Sequence, residues 1–355
     1  MQILSDSNKD IRNVKTQPGS YEWWYFDAVS VDETYSIVVI FYEGNPFSRR
    51  YKDAMDRGEM DMARFYPAVS LSVYKSDSPV FYSFEEVLPE EASFSDENPE
   101  GNVKNNRFWR EFKENTLIYH LKIDQRLPGG DRLTGELRFS SEGVKYKLSE
   151  ESSPSKGKHQ WNLVQPHADV VGKLNISGFS DHEIAFIGVG YHDHNTGFEP
   201  MFESFDEWYW GRAHFSGNTL VYYLMNENGV LNPKGWLFDQ TGNVQMIDDG
   251  IITDDIGMNY FGLKSARKIE KQEGDIRFLI QKTSIIDDGP FYQRFLNRMV
   301  LHMQGNLYQG TGISEYICPA RIHKKIFRPL VNMRIQYPGN DHWVQKNPRL
   351  YRWTW

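Results

Sequence analysis

Apolar and polar residues alternate in short runs along most of the chain. In the first half, "YEWWYFDAVS", "YSIVVIFYE", "YPAVSLSVY", "PVFYSFEEV", "NTLIYHLKI" and "DRLTGELRFS" each have the length of a strand, and a period of two turns one side of each towards a core. The pieces "LPGGD", "SPSKGK" and "SDENPEGN" lie between them and supply the Gly, Pro, Asn and Asp of tight connections. The alternation restarts after residue 200 in "EWYWGRAHF", "TLVYYLMNE", "GWLFDQ", "NVQMID", "DIRFLIQKTS", "RMVLHMQG" and "GTGISEYI". Only "RRYKDAMDRGEMDMARF" and "DDGPFYQRFLNRMV" read as short helices. The expected architecture is all-β, with two consecutive antiparallel β-barrel domains over residues 1–200 and 201–355 and a few short helices, because closing a sheet removes its exposed edges. There is no fixed-period repeat and no low-complexity tract.

Composition sharpens this picture. At 355 residues the chain is about twice the usual single-domain length. Aromatic residues make up 15%, with 10 Trp, 20 Tyr and 22 Phe, a richness that favours sheets and aromatic-lined cavities. The net charge of −8 excludes nucleic acid as the main partner, since phosphate recognition needs clustered positive charge. No run has the length of a membrane span, and "MQILSDSNKDIRNVK" lacks the apolar stretch of a signal peptide, so a cytoplasmic protein is expected. The lone Cys318 excludes an intrachain disulfide and a cysteine-clustered zinc site, and a buried apolar environment is expected for it. Walker loop, dinucleotide fingerprint and nucleophile elbow are all missing, so no nucleotide cofactor is indicated.

The densest chemistry is "GVGYHDHNTG", residues 188–197, directly after the apolar "EIAFI". Read as a strand, Ile187, Val189, Tyr191 and Asp193 share one face, and Phe186, His192 and His194 the other. A carboxylate at the end of an apolar row is disfavoured by desolvation, which keeps it able to carry a proton. Asp193 is therefore the first candidate acid. Two other readings stand beside it: a metal site from His192, Asp193 and His194, and a turn in which Asp193 and Asn195 bond backbone amides.

Two further motifs carry chemistry. In "KHQWNLVQPHADV", His159 and Trp161 alternate onto one face; the histidine could orient an acid and the indole could steady a cation. In "YEWWYF", Glu22, Trp24 and Phe26 point one way and Tyr21, Trp23, Tyr25 and Asp27 the other. A buried Glu22 needs a partner, for which Arg212 in "WYWGRAHF" is a candidate. Glu315 in "GTGISEYICP" raises the same question, and Trp208 and Trp210 read as core.

Together "YEWWYFDA", "HQWNLVQPHADVVGKLNISG", "GVGYHDHNTG" and "WYWGRAHF" resemble, in order and spacing, the carotenoid 1,2-hydratase (hydroxyneurosporene synthase) and AttH-like family. The resemblance implies a pair of lipocalin-like barrels and a cofactor-free, metal-free site for a hydrophobic polyene or isoprenoid. In that family an H-x-W pair and a Y-x-D pair are associated with protonating a terminal double bond before water captures the cation. Those pairs fall on His159 and Trp161 and on Tyr191 and Asp193. Glu22, Trp24, His192, His194, Asn195, Trp210, Arg212 and Glu315, in or beside the motifs, are expected to contact substrate, which transient membrane contact would help collect. The same apparatus without a placed water gives isomerisation or cyclisation. A pericyclic cyclase and a non-catalytic carrier of hydrophobic molecules are the competing readings.

Overall fold

The computed structural model describes residues 2–60, 62–143, 146, 148, 159–239, 241–247 and 249–355. The chain forms two compact units, Met1–Met201 with Lys325–Trp355, and Phe202–Lys324. The last 31 residues (325–355) thus join the first unit, whereas the sequence led us to expect residues 201–355 in one second domain.

Both units are built on curled, mainly antiparallel sheets. In the first, twelve of the thirteen strands among the described residues are ordered from Ile335–Gln336 at one edge through Ser78–Glu86, Ala68–Lys75, Tyr35–Glu43, Tyr21–Ser30, His182–Gly197, His159–Ser177, Arg132–Glu142, Thr116–Arg126, Asn106–Lys113 and Glu100–Val103 to Ala92–Phe94. Gln2–Leu4 lies off this path and pairs in parallel with His159–Ser177.

The sheet is centred on the long hairpin His159–Ser177 and His182–Gly197. Its turn uses Gly178 at φ +129, a conformation that an L side chain resists, and the Gly178 N–H donates to Asp181 Oδ1 at 3.1 Å. Register shifts on either side of Gln165 accommodate Pro166, which has no N–H for the ladder. Burial alternates at the start of His182–Gly197, where Glu183, Ala185 and Ile187 are exposed and Ile184 and Phe186 buried. From Gly190 onwards every residue is buried. Polar side chains there must find partners inside the protein.

Among the described residues the second unit has nine strands, ordered Val244–Ile247, Val230–Phe238, Asn218–Glu227, Glu207–Phe215, Asn306–Ile317, Tyr292–Met303, Ile276–Asp288, Lys264–Lys271 and Ile251–Met258. Its core includes Tyr209, Phe215, Tyr222, Phe278, Ile280, Phe295, Met299 and Leu301. Cys318, expected inside the core, is only half-buried at its margin.

One local expectation holds in part and two change. Arg49–Asp56 is a helix capped by Ser48, whose Oγ accepts from the Tyr51 N–H. The second expected helix, by contrast, is largely the strand Tyr292–Met303. Its buried Phe295, Asn297, Met299 and Leu301 have period two, and pairing with strands on both sides overrides the helical look of its polar residues. The expected turn over 95–102 runs into the strand Glu100–Val103. "SPSKGK" lies outside the described residues. Among the described residues no helix is long and apolar enough to cross a membrane.

Candidate active site

Three neighbouring strands, Tyr21–Ser30, His182–Gly197 and His159–Ser177, build the site, and their register decides which side chains meet. Gly197 lies opposite Tyr21 and His159, Asn195 opposite Trp23 and Trp161, and Asp193 opposite Tyr25 and Leu163. Opposed residues point to the same face. Tyr21, Trp23, Tyr25, His159, Trp161, Tyr191, Asp193 and Asn195 therefore share one face, continuous with exposed Ile187. His192, His194, Glu22, Trp24 and Phe26 share the other, continuous with the buried row Ile184 and Phe186.

Asp193, 4% exposed, is the hub of the first face. Its Oδ2 accepts from Trp161 Nε1 at 2.7 Å and from the Tyr191 hydroxyl at 2.8 Å. Its Oδ1 accepts from Asn195 Nδ2 at 2.8 Å. Behind Asn195, His159 Nε2 lies 3.2 Å from Asn195 Oδ1, and His159 Nδ1 lies 3.2 Å from the Tyr21 hydroxyl.

The direction of this chain follows from its chemistry. Burial pushes the His159 imidazole down to about 3, so it is neutral, with one nitrogen donating and one accepting. Burial, with Glu199 adding to it, pushes the Tyr21 phenol far up, so its hydroxyl keeps its proton and donates to Nδ1. Nε2–H then donates to Asn195 Oδ1, which leaves the Asn195 amide to donate to Asp193. His159 reaches the acid through Asn195.

Gly197 makes room for this arrangement. A Cβ there would lie 2.1 Å from the Tyr21 ring. Tyr21 also stacks on Trp23 at 5.2 Å between centroids, and Tyr25 meets Tyr191 edge-on at 6.2 Å.

The opposite face is an ion network. His192 Nε2 lies 3.0 Å and His194 Nδ1 3.3 Å from the Asp10 carboxylate, and Tyr119 donates to the same group. His194 Nε2 lies 2.7 Å from Glu22 Oε1, and Glu22 also pairs with Lys15, which in turn pairs with Glu43. Burial alone would raise the Glu22 carboxyl, but the Lys15 charge and the His194 contact outweigh it and hold it at about 2. Phe26 stacks on His192 at 3.9 Å and Trp24 on His194 at 4.7 Å.

The expected residues therefore separate. Asp193, Tyr191, Trp161, His159 and Asn195 come together, whereas Glu22, Trp24, His192 and His194 lie behind the sheet. The Glu22 cation is Lys15, where Arg212 was the expected candidate. The metal reading fails on geometry, because Asp193 points away from both histidines; among the described residues no three His, Cys, Asp or Glu side chains are grouped to hold a metal ion. The turn reading fails too, since Asp193 and Asn195 bond side chains within a strand. Trp210, Arg212 and Glu315 belong to the second unit. There Trp210 lies opposite Glu315, Glu315 Oε1 accepts from Arg294 Nε at 2.8 Å, and Arg212 is fully buried.

Sequence reasoning missed Tyr21 and Gly197, and with them Asp10 and Lys15 on the other face. The alternation in "YEWWYF" put Tyr21 on the correct side of its own strand. What tied it to Asp193 was the pairing partner of that strand, which no local pattern encodes.

Residues 105–346 match the model of the carotenoid hydratase CrtC. The chain is 28% identical to a hydroxyneurosporene dehydrogenase of Chlorobaculum tepidum, over 96% of this chain and 94% of that protein. It is 25% identical to the acyclic carotenoid 1,2-hydratase of Thiocapsa roseopersicina, over 66% of this chain and 54% of that one. Its fold is similar to that of the AttH protein of Nitrosomonas europaea, with a TM-score of 0.60 at 14% identity, covering 84% of this chain and 92% of the other. It is also similar to CghA, solved with Sch210972, with a TM-score of 0.59 at 11% identity, covering 89% and 98%. With its two curled β units and a family match over most of its length, the chain belongs to the carotenoid hydratase family CrtC and is a hydro-lyase enzyme.

Proposed function

We propose that the Asp193 face hydrates a terminal carbon–carbon double bond of an acyclic carotenoid or a related polyene, using no cofactor. One observation carries this reading: a buried carboxyl group that accepts hydrogen bonds from Trp161, Tyr191 and Asn195. Oδ2 accepts from both Trp161 and Tyr191 and Oδ1 from Asn195, so we assign the reacting proton to Oδ1.

An alkene is a poor base, and its protonation needs a strong acid. Three fixed donors aimed at the carboxylate favour the conjugate base that forms as the proton leaves, and they need no reorganisation to do so. Oδ1 gives its proton to the terminal alkene carbon, and the positive charge develops on the neighbouring carbon. The indole and phenol rings on this face steady that charge. Water adds to the cation, the resulting oxonium loses a proton to Asp193, and the acid is restored. The net change is one water added.

Asn195, His159 and Tyr21 position Asp193, and Trp23 and Tyr25 take the substrate-facing role first assigned to Trp24. The network of Glu22, His192 and His194 holds the sheet from behind.

The test is incubation with acyclic carotenoids in deuterated water, with mass spectrometry of the products. The reading expects a product heavier by one water, bearing one carbon-bound deuterium. Asp193→Asn is expected to lower turnover on the order of 10²- to 10⁴-fold, the usual weight of a positioned general acid. Conversion without deuterium, or full turnover by Asp193→Asn, would exclude proton-driven hydration. Tight binding with the polyene returned unchanged would identify a carrier instead.

A further inference from the structure

The second unit contains a buried amine in an apolar row. Along Ile276–Asp288, Ile276, Phe278, Ile280 and Lys282 alternate inwards, and Lys282 is only 5% exposed. Among the described residues its Nζ has no hydrogen-bond partner. It sits 4.4 Å from the Phe295 ring centroid and 4.8 Å from that of Tyr209.

Polar groups on the same inner face make this more than a stray charge. Asn297 lies directly opposite Lys282 on the neighbouring strand. Its Nδ2 donates to Ser314 Oγ at 2.8 Å, and the Tyr222 hydroxyl donates to the same oxygen at 2.8 Å. Asn297 Oδ1 is left without a partner among the described residues. A donor and an acceptor thus stand unsatisfied on neighbouring strands, enclosed by apolar side chains. Buried polar atoms of this kind call for a bound partner. The pairing of the two strands is also irregular here, with a register shift between Lys282 and Ser284, which loosens the ladder beside the amine.

We propose that Lys282 is the reactive amine of a carbonyl-binding site inside the second unit, taking an aldehyde with an apolar tail as a covalent imine. The Nζ lone pair attacks the carbonyl carbon, and the displaced carbonyl electron pair takes up a proton from nitrogen to give a carbinolamine. Its hydroxyl has an acceptor in Asn297 Oδ1. Loss of water forms the carbon–nitrogen double bond, so amine and aldehyde become imine and water with no oxidant or reductant. A protonated imine rests against the same ring faces that now flank the amine. Burial pushes the Lys282 ammonium down to about 7, so the nucleophilic form is abundant near neutral pH, as in other lysines activated by desolvation. The inference is independent of the Asp193 chemistry.

The test uses the full chain, decanal as probe and cyanoborohydride to trap the imine as a stable amine. Intact-mass measurement and peptide mapping then locate the adduct. At pH 7.5, Lys282 is expected to be modified on the order of 10² times faster than exposed lysines, whose amines are nearly all ionised. Its labelling should rise through about pH 7. Decanal should outpace acetaldehyde. Lys282→Arg should abolish this adduct while leaving labelling of the α-amino group unchanged, and circular dichroism would verify its fold. The wild-type map decides the matter even if that variant does not fold. Adducts on surface lysines with Lys282 modified only after denaturation would overturn the proposal, as would labelling that rises only above pH 9 or equal rates for the two aldehydes.

Discussion

At the scale of single residues, the site is defined by which groups donate to Asp193 and how each of them is held. Trp161 and Tyr191 act directly, while Tyr21 acts through His159 and Asn195. Tyr21→Phe removes the hydroxyl that selects the His159 tautomer and leaves the ring packing in place. Its expected effect is a fall in kcat of about tenfold with KM nearly unchanged, because the loss concerns orientation of the acid and not substrate binding. Steady-state kinetics on the hydration reaction would check this. A large rise in KM with unaltered kcat would mean that Tyr21 contacts substrate instead. Gly197 gives a sharper test: a Cβ 2.1 Å from the Tyr21 ring forces the ring or the strand to move. Gly197→Ala is expected to lower stability by about 1–3 kcal/mol, the usual cost of overpacking, and to reduce turnover at least as much as Tyr21→Phe. Urea unfolding and kinetics on the same preparation would measure both.

At the scale of elements, one strand serves two purposes on its two faces. His182–Gly197 sends Tyr191, Asp193 and Asn195 to the reactive side and His192, His194 and Thr196 to the ion network. The two sides titrate in different windows. His159 is held neutral well below its ordinary 6.5. The unfolded chain binds a proton there that the folded chain refuses, so stability falls as pH drops from about 6.5 towards 3. Glu22, ordinarily near 4.5, is held at about 2. Its contribution is complete above about 4.5 and is lost as pH falls towards 2. Acid unfolding is expected to begin with the histidine and steepen with the carboxylate, each group contributing at most ~1.4 kcal/mol per pH unit. His159→Gln should flatten that profile between about pH 6.5 and 3 and leave only the fall below about pH 4.5 that belongs to Glu22. Denaturant midpoints measured from pH 7 to pH 3 would show whether it does.

At the scale of the whole molecule, the chain leaves the first unit at Met201 and returns to it at Lys325. The returning segment adds the edge strand Ile335–Gln336, parallel to Ser78–Glu86. It also buries Gln345, whose side chain donates to the carbonyls of Met333 and Ile335 at 3.1 and 3.0 Å. Truncation after Lys324 would uncover that sheet edge and remove these contacts. The expected outcome is loss of hydrogen-exchange protection in Ser78–Glu86 and Ala68–Lys75, with protection retained across Phe202–Lys324. Uniform loss across both units would show that the segment is needed by the entire chain.

Much of this protein was legible in its sequence. Period two fixed the strand content and the face on which each side chain of "YEWWYFDA" and "GVGYHDHNTG" points, because alternation is a local property of an extended backbone. The H-x-W and Y-x-D pairs could be read as one site from spacing and resemblance. Tertiary structure decided the rest. It set "YEWWYF" beside "YHDHN" in a register that gives Asp193 to the aromatic side and Glu22 to the histidines, and it made most of 287–300, an expected helix, part of the strand Tyr292–Met303. It also set Lys282 against the rings of Tyr209 and Phe295. Pairing partner and register depend on contacts between residues far apart in the chain, and no local pattern carries that information.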